Sequence, residues 1–155
     1  MSHRIRTTNY GIRRQRGFGL IEVLVAVVVL AIGLLGLAGM QLRTLRDNQS
    51  SSERGVAVML THSIVDAMRA DRQNAAANLF NIALTAAAPT GSTFHEVTVA
   101  SWRTSLTNSL GSAAKGAIAC VTSSTDTKCT ITVEWDDSHA TAGSATLDLV
   151  TEVQL

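Results

Sequence analysis

The sequence predicts an α+β fold, in which a long N-terminal α-helix lays its second half on a small antiparallel β-sheet. Three observations predict it. Phe18 to Leu42 is apolar on every side, and from Leu42 to Met68 the apolar residues narrow to one stripe at three- and four-residue steps. Near the C-terminus, Cys129–Trp135 and Leu147–Leu155 alternate apolar and polar residues, as half-buried strands do.

The chain has 155 residues, 46% hydrophobic and 16% charged, against roughly 25% charged in an average soluble domain. That apolar content excludes a chain disordered throughout. Two cysteines exclude a disulfide-framework miniprotein, and the chain is expected to lack the ligands for a zinc cluster. The net charge of +1 hides an asymmetry. Arg4, Arg6, Arg13, Arg14 and Arg16 lie in the first 16 residues with no acid among them. Without these five, 8 basic residues face 12 acidic ones, so the remainder is unlike a nucleic-acid-binding body, which is basic.

The first element is the apolar run. As a helix, Phe18 to Leu42 spans about 37 Å, enough to cross a hydrocarbon core of roughly 30 Å. A core helix of one small domain is the alternative, but such a domain cannot surround a helix that is apolar all round. A cleaved secretory signal is the other, but the run exceeds the usual apolar region of roughly 7–15 residues and no small-x-small site closes it. The arginines before it predict a cytoplasmic N-terminus, with everything after Met40 translocated to the periplasm. Glu22 interrupts the run, and a carboxylate costs a few kcal/mol near a bilayer centre. Physics leaves two readings open: Glu22 snorkels to the headgroups, or it awaits a cationic partner.

Gly17-Phe18-Gly19-Leu20-Ile21-Glu22-Val23-Leu24-Val25-Ala26 resembles the class III signal of type IV pilins and of type II secretion pseudopilins. The resemblance implies the pilin fold. It also implies that residues 1–17 are a leader, that a prepilin peptidase cuts between Gly17 and Phe18, and that Phe18 is then N-methylated. Removing the leader leaves 138 of the 155 residues. Glu22 would then meet the amine of a neighbouring subunit's Phe18, setting register during assembly; two charges costly singly in an apolar bundle coexist when paired. Gly19 departs from the family, most members having Thr or Ser there. The cut depends mainly on the glycine before it, so processing is expected to survive.

The run from Glu22 to Gln41 is most similar to minor pilins of the PilV kind. Val65–Arg72, the order of Trp102, Leu106 and Leu110, the cysteine hairpin and Thr132–Asp136 follow the same layout. The resemblance implies a minor pilus subunit that primes assembly and sits at or near the pilus tip. Pilus biogenesis, twitching motility and adhesion are the outputs it implies. The partners implied are prepilin peptidase, other minor pilins, the major pilin, a pilus-tip adhesin and the inner-membrane assembly platform. The location implied is a single pass of the inner membrane, and the pilus after assembly. No cofactor is implied, and nucleic acid is not indicated. A minor pseudopilin of type II secretion shares every feature through Ala26. A bitopic periplasmic binding or sensor domain with an uncleaved anchor is the alternative outside the family.

Four regions follow: a leader at 1–17, a membrane and filament-core helix at 18–40, a periplasmic half-helix at 41–72, and a globular region at 73–155. In the half-helix, Leu42, Leu45, Val56, Leu60, Ile64, Ala67 and Met68 form the stripe, interrupted by the polar patch Asn48–Ser52. Unbroken, Phe18–Arg72 would measure roughly 80 Å. Gly33, Gly36 and Gly39 weaken a helix but allow close helix–helix approach. Residues 73–92 are Ala- and Asn-rich; Leu79, Ile82, Ala83 and Ala86 would suit a short helix ending before Pro89. Trp102, Leu106 and Leu110 predict a helix from about Ser101 to Leu110.

Strands are expected at Ala117–Thr122 and Cys129–Trp135, around the polar turn Ser123–Lys128. The last strand puts Leu147, Leu149, Val153 and Leu155 on one face and Asp148, Glu152 and Gln154 on the other, with Val150 and Thr151 blurring the pattern. Cys120 and Cys129 stand near the mouth of this hairpin. In an oxidising periplasm they are expected to form a disulfide; two buried thiols are the alternative.

No catalytic constellation emerges: no phosphate loop, no nucleophile elbow, and no serine beside a suitable histidine and acid. His3, His62, His95 and His139 have no metal-ligand spacing. Asp136-Asp137 with His139 could bind a cation, but a solvated turn is the expectation, since no calcium-loop pattern follows. The reading is therefore of no enzyme and no metal site, but of a substrate for a processing enzyme.

Overall fold

The computed structural model describes residue 17, residues 19–123 and residues 126–155. The chain divides into two units, Met1–Met40 and Gln41–Leu155. Helix α1 (Leu20–Ala70) belongs to both. The predicted start at Phe18 lies outside the described residues.

In the first unit every described residue is exposed. Leu20, Ile21, Leu24, Val29, Leu30, Ile32 and Leu35 are each more than half exposed. The helix closes its own backbone hydrogen bonds, which permits a lone apolar segment to hold its form in lipid.

In the second unit the buried stripe begins at Ser50 and continues through Ala57, Thr61, Ile64, Val65 and Met68. The predicted stripe differs at its start, because Leu42 and Leu45 are exposed. The helix ends at Ala70. Asp71 adopts non-helical angles (φ −122°, ψ 53°), and a short helix α2 (Arg72–Ala76) follows. Asn78 then takes φ 61°, a left-handed conformation that Asn tolerates better than most residues.

The expected helix around Leu79–Ala86 does not form. Asn81 instead imitates a strand residue: its side-chain oxygen accepts from the Cys120 amide at 2.8 Å, and its Nδ2 donates to the Cys120 carbonyl at 3.2 Å. Ile82 and Ile118 exchange two backbone hydrogen bonds of 2.9 Å. The outer edge of the sheet supplies partners for these groups, and that outweighs a weak local helical preference.

Helix α3 (Phe94–Leu110) begins seven residues before the expected Ser101. Its start is set by a capping box: the Thr93 backbone N–H donates to Glu96 at 3.1 Å, and the Thr93 side chain meets the backbone of Glu96. The Thr93 hydroxyl, which also donates to the Glu96 carboxylate, and then the Thr93 N–H hold that carboxyl below its ordinary pKa. Val99, Trp102, Leu106 and Leu110 form its buried face, and Gly111 ends it at φ 98°.

The sheet has order β1-β2-β3, all antiparallel, with β1 at Lys115–Thr122, β2 at Thr127–Trp135 and β3 at Leu147–Gln154. In the turn, the Ser123 amide donates to the Asp126 carbonyl at 2.8 Å; Ser124 and Thr125 lie outside the described residues. Strand β2 buries Thr127, Cys129, Ile131, Val133 and Trp135 in strict alternation. Strand β3 resolves the ambiguity at its middle: Thr151 shares the covered face with Leu147, Leu149 and Val153, and Val150 faces outward. Cys120 and Cys129 are direct partners in register and are disulfide-bonded. A loop this short gives a bond worth about 2–3 kcal/mol in the chain-entropy account.

One core joins the second half of α1, α3 and the covered sheet face. Trp102 Nε1 donates to the Leu60 carbonyl at 3.1 Å and ties α3 to α1. Gly116 makes the α3–β1 contact possible, since a Cβ there would lie 2.4 Å from the Trp102 ring and 2.7 Å from Leu106. Gly116→Ala is therefore expected to destabilise the body by about 1–3 kcal/mol. Gly33→Ala, whose Cβ would meet nothing within 4 Å, leaves it unchanged. Thermal unfolding in detergent, followed by near-ultraviolet circular dichroism of the buried tryptophans, checks both.

Candidate functional site

Gly17 is exposed and outside regular structure, while Phe18 lies outside the described residues. Gly19 takes the position before α1, and its carbonyl accepts from the amides of Glu22 at 3.0 Å and Val23 at 3.3 Å. This is an N-cap role that glycine fills acceptably. Glu22 follows in the first turn, where a negative charge complements the helix dipole. Its carboxylate is exposed and stands on an otherwise apolar surface.

Beyond Glu22 the helix is long and apolar enough to cross a membrane. Added Cβ atoms at Gly33, Gly36 or Gly39 would meet nothing within 4 Å. Among the described residues nothing therefore requires glycine at these three positions. What this segment offers is an uncovered apolar surface with a single carboxylate, Glu22, near its start.

In the body, Arg103 gathers the segment between α2 and α3. It donates to the Gly116 carbonyl through Nε at 3.0 Å and Nη2 at 2.7 Å. The same Nη2 reaches the Ala83 carbonyl at 2.6 Å and that of Leu84 at 3.2 Å, and Nη1 donates to Ala86. A planar fork with fixed donors suits several convergent carbonyls, and an ammonium does not. Partial burial lowers the pKa of the guanidinium, whose charge persists in any ordinary buffer.

A second polar cluster corrects the expected solvated turn. Asp137 is buried rather than solvated. Its Oδ2 accepts from Ser50 at 2.8 Å and lies 3.7 Å from Arg54 Nη2. His139 Nε2 stands 3.4 Å from Glu53 Oε1 and 3.8 Å from Asp137 Oδ1. The sequence reading paired the two aspartates with His139 and missed Glu53, which lies far away along the chain. Asp136 stays exposed; the Ser138 amide donates to its Oδ1 at 2.9 Å and holds its carboxyl below the ordinary range.

Residues 12–38 match the family model described as the prokaryotic N-terminal methylation motif. The match takes in Gly17, Phe18, Gly19, Glu22 and the apolar opening of α1. No curated protein and no solved structure matches the chain. The chain thus carries a prokaryotic N-terminal methylation motif, joined to a long apolar helix and a three-stranded antiparallel sheet.

Arg103→Lys is expected to loosen residues 83–86 at a stability cost of about 1–2 kcal/mol. Amide hydrogen exchange should quicken there while the β1–β2 ladder keeps its protection.

Proposed function

We propose that this chain is a minor type IV pilus subunit, cut by prepilin peptidase between Gly17 and Phe18 and N-methylated at Phe18. It acts as a structural subunit of the PilV kind, priming pilus assembly and lying at or near the tip. The observation that carries the reading is the methylation motif at residues 12–38, continued by a helix surface apolar on every side. Membrane anchoring and assembly with other pilins follow from that signal.

In this reading the subunit waits in the inner membrane with its N-terminus cytoplasmic and its sheet domain periplasmic. Lipid covers α1 until the platform draws it into a bundle with other minor pilins, the major pilin and a tip adhesin. Glu22 then pairs with the amine of a neighbour's Phe18. The pair is favourable only in the assembled state, where both charges have left water and each is otherwise uncompensated. Disulfide-bonded Cys120 and Cys129 suit a periplasmic body. A minor pseudopilin of type II secretion is the second reading, because it would share every sequence feature through Ala26. Co-purification with pilus proteins supports the first; co-purification with secretion components supports the second.

Mass spectrometry of the mature subunit tests processing. The expected N-terminal peptide begins at methylated Phe18, and one that still begins at Met1 overturns the reading. Glu22→Ala is expected to be processed normally. Breaking a buried ion pair costs about 3–5 kcal/mol, so its incorporation into pili should fall well over tenfold. Normal incorporation, measured by immunoblot of sheared pili, would show that the pair does not form.

A further inference from the structure

We infer that Glu53, Asp137 and His139 form a binding site for a single divalent cation of the zinc class, clipping the loop after β2 to helix α1. One ligand atom from each residue lies within 4.8 Å of the other two. The side chains are 16%, 2% and 34% exposed, so the cluster is enclosed by protein yet reachable past His139.

Two related features point to a ligand. The first is a set of orphaned atoms. Asp137 Oδ1, Glu53 Oε2 and His139 Nε2 are buried and have no hydrogen-bond partner among the described residues. An orphaned carboxylate oxygen is costly in such a place. Ser50 and Arg54 occupy Oδ2 of Asp137, which leaves Oδ1 directed at His139. The second is distance. A protonated imidazole paired with a carboxylate closes to about 2.7–2.9 Å. Here Nε2 stands at 3.4 and 3.8 Å from two different carboxylates and bonds neither. Ligand atoms each about 2.0–2.1 Å from one tetrahedral ion lie roughly 3.3–3.4 Å apart, so small side-chain movements bring all three into reach.

The donor set selects the class. Calcium and magnesium take oxygen ligands, whereas one imidazole nitrogen with two carboxylates suits zinc and its transition-metal neighbours. With His139 neutral, the two carboxylates and Arg54 leave one net negative charge, which a divalent cation reverses.

The site is held in place by its surroundings. Ser50, Glu53 and Arg54 share one face of α1 by their three- and four-residue spacing. The Asp137 amide donates to the Ser144 carbonyl at 2.9 Å, and the Thr141 amide to Asp47 at 3.2 Å. A Cβ at Gly143 would lie 1.7 Å from the Asp137 carbonyl oxygen, so glycine alone lets the loop fold over this close.

The test uses the full chain in detergent, prepared without a polyhistidine tag and stripped by a chelator, titrated with zinc chloride alone in a calorimeter. One zinc per chain is expected. Changing a group that merely supports a ligand weakens metal binding roughly 10–100-fold, so His139→Ala and Glu53→Gln should each weaken it by about 100-fold or more. Both variants keep the Ser50–Asp137 bond, and circular dichroism verifies their fold. Absence of stoichiometric zinc uptake by the unsubstituted chain overturns the proposal, and so does uptake that survives either substitution. Tighter binding of calcium than of zinc overturns the assignment of class.

Discussion

The constraint on which everything else depends is the uncovered apolar surface of α1. From Leu20 to Met40 the helix carries side chains that water hydrates unfavourably, and none of them is buried. At about 25 cal/mol for each Å² of apolar surface, no isolated subunit can tolerate this in water. A bilayer relieves the exposure, and so does a bundle of similar helices. The same surface therefore suits both, and moving from one to the other changes little in apolar burial. What differs between the two surroundings is polar: the carboxylate of Glu22 at one end, and the close backbone approach that glycines at 33, 36 and 39 permit at the other. In the proposed assembly of a helix this uniform, such sparse features would be left to decide register.

The body solves a different problem. Its sheet has three strands and one covered face, and a sheet that small needs helices to bury that face. The second half of α1 and α3 do so, with Trp102 linked to Leu60 and Gly116 making room for its ring. The outer edge of β1 would otherwise expose unpaired backbone groups, a common route to aggregation. Asn81 and Ile82 pair with that edge, and Arg103 holds the residues that follow. The disulfide joins β1 to β2 near their turn, where the ladder has fewest neighbours to support it.

Much of this could be read from residues alone, for reasons that differ by element. The apolar run and the β2 alternation were legible because burial or lipid acts on every residue of a long stretch. The start of α3 was also written in the chain: Thr93 and Glu96 have capping-box spacing, but the apolar stripe drew attention to Trp102 and beyond. The segment 79–86 was not legible. Its Ala-rich composition favours helix locally, and only the unpaired edge of β1, some forty residues later, makes an extended path better. Leu42 and Leu45 kept the helical spacing but have no partner surface, since periodicity shows which residues share a face and not what lies against it. The cluster at Asp137 failed for the same reason. Glu53 is on a helix and His139 on a loop, and only the tertiary fold brings them together.

The two ends of this chain carry information of different kinds. In the proposed reading the N-terminal signal is a short string of residues read by an enzyme and by neighbouring copies of the same string, so it would have to keep its letters. A constraint of that kind agrees with the match of residues 12–38 to a general motif. The body has only to keep a covered sheet face, a closed edge and a surface suited to its own neighbours. Many sequences satisfy the first two, and the third differs from one assembly to another. The loop after β2 is tied to α1 through Asp47 and Ser50, with Arg54 standing 3.7 Å from Asp137. A loop held in this way is pre-organised, so little ordering entropy would be lost when it binds a ligand.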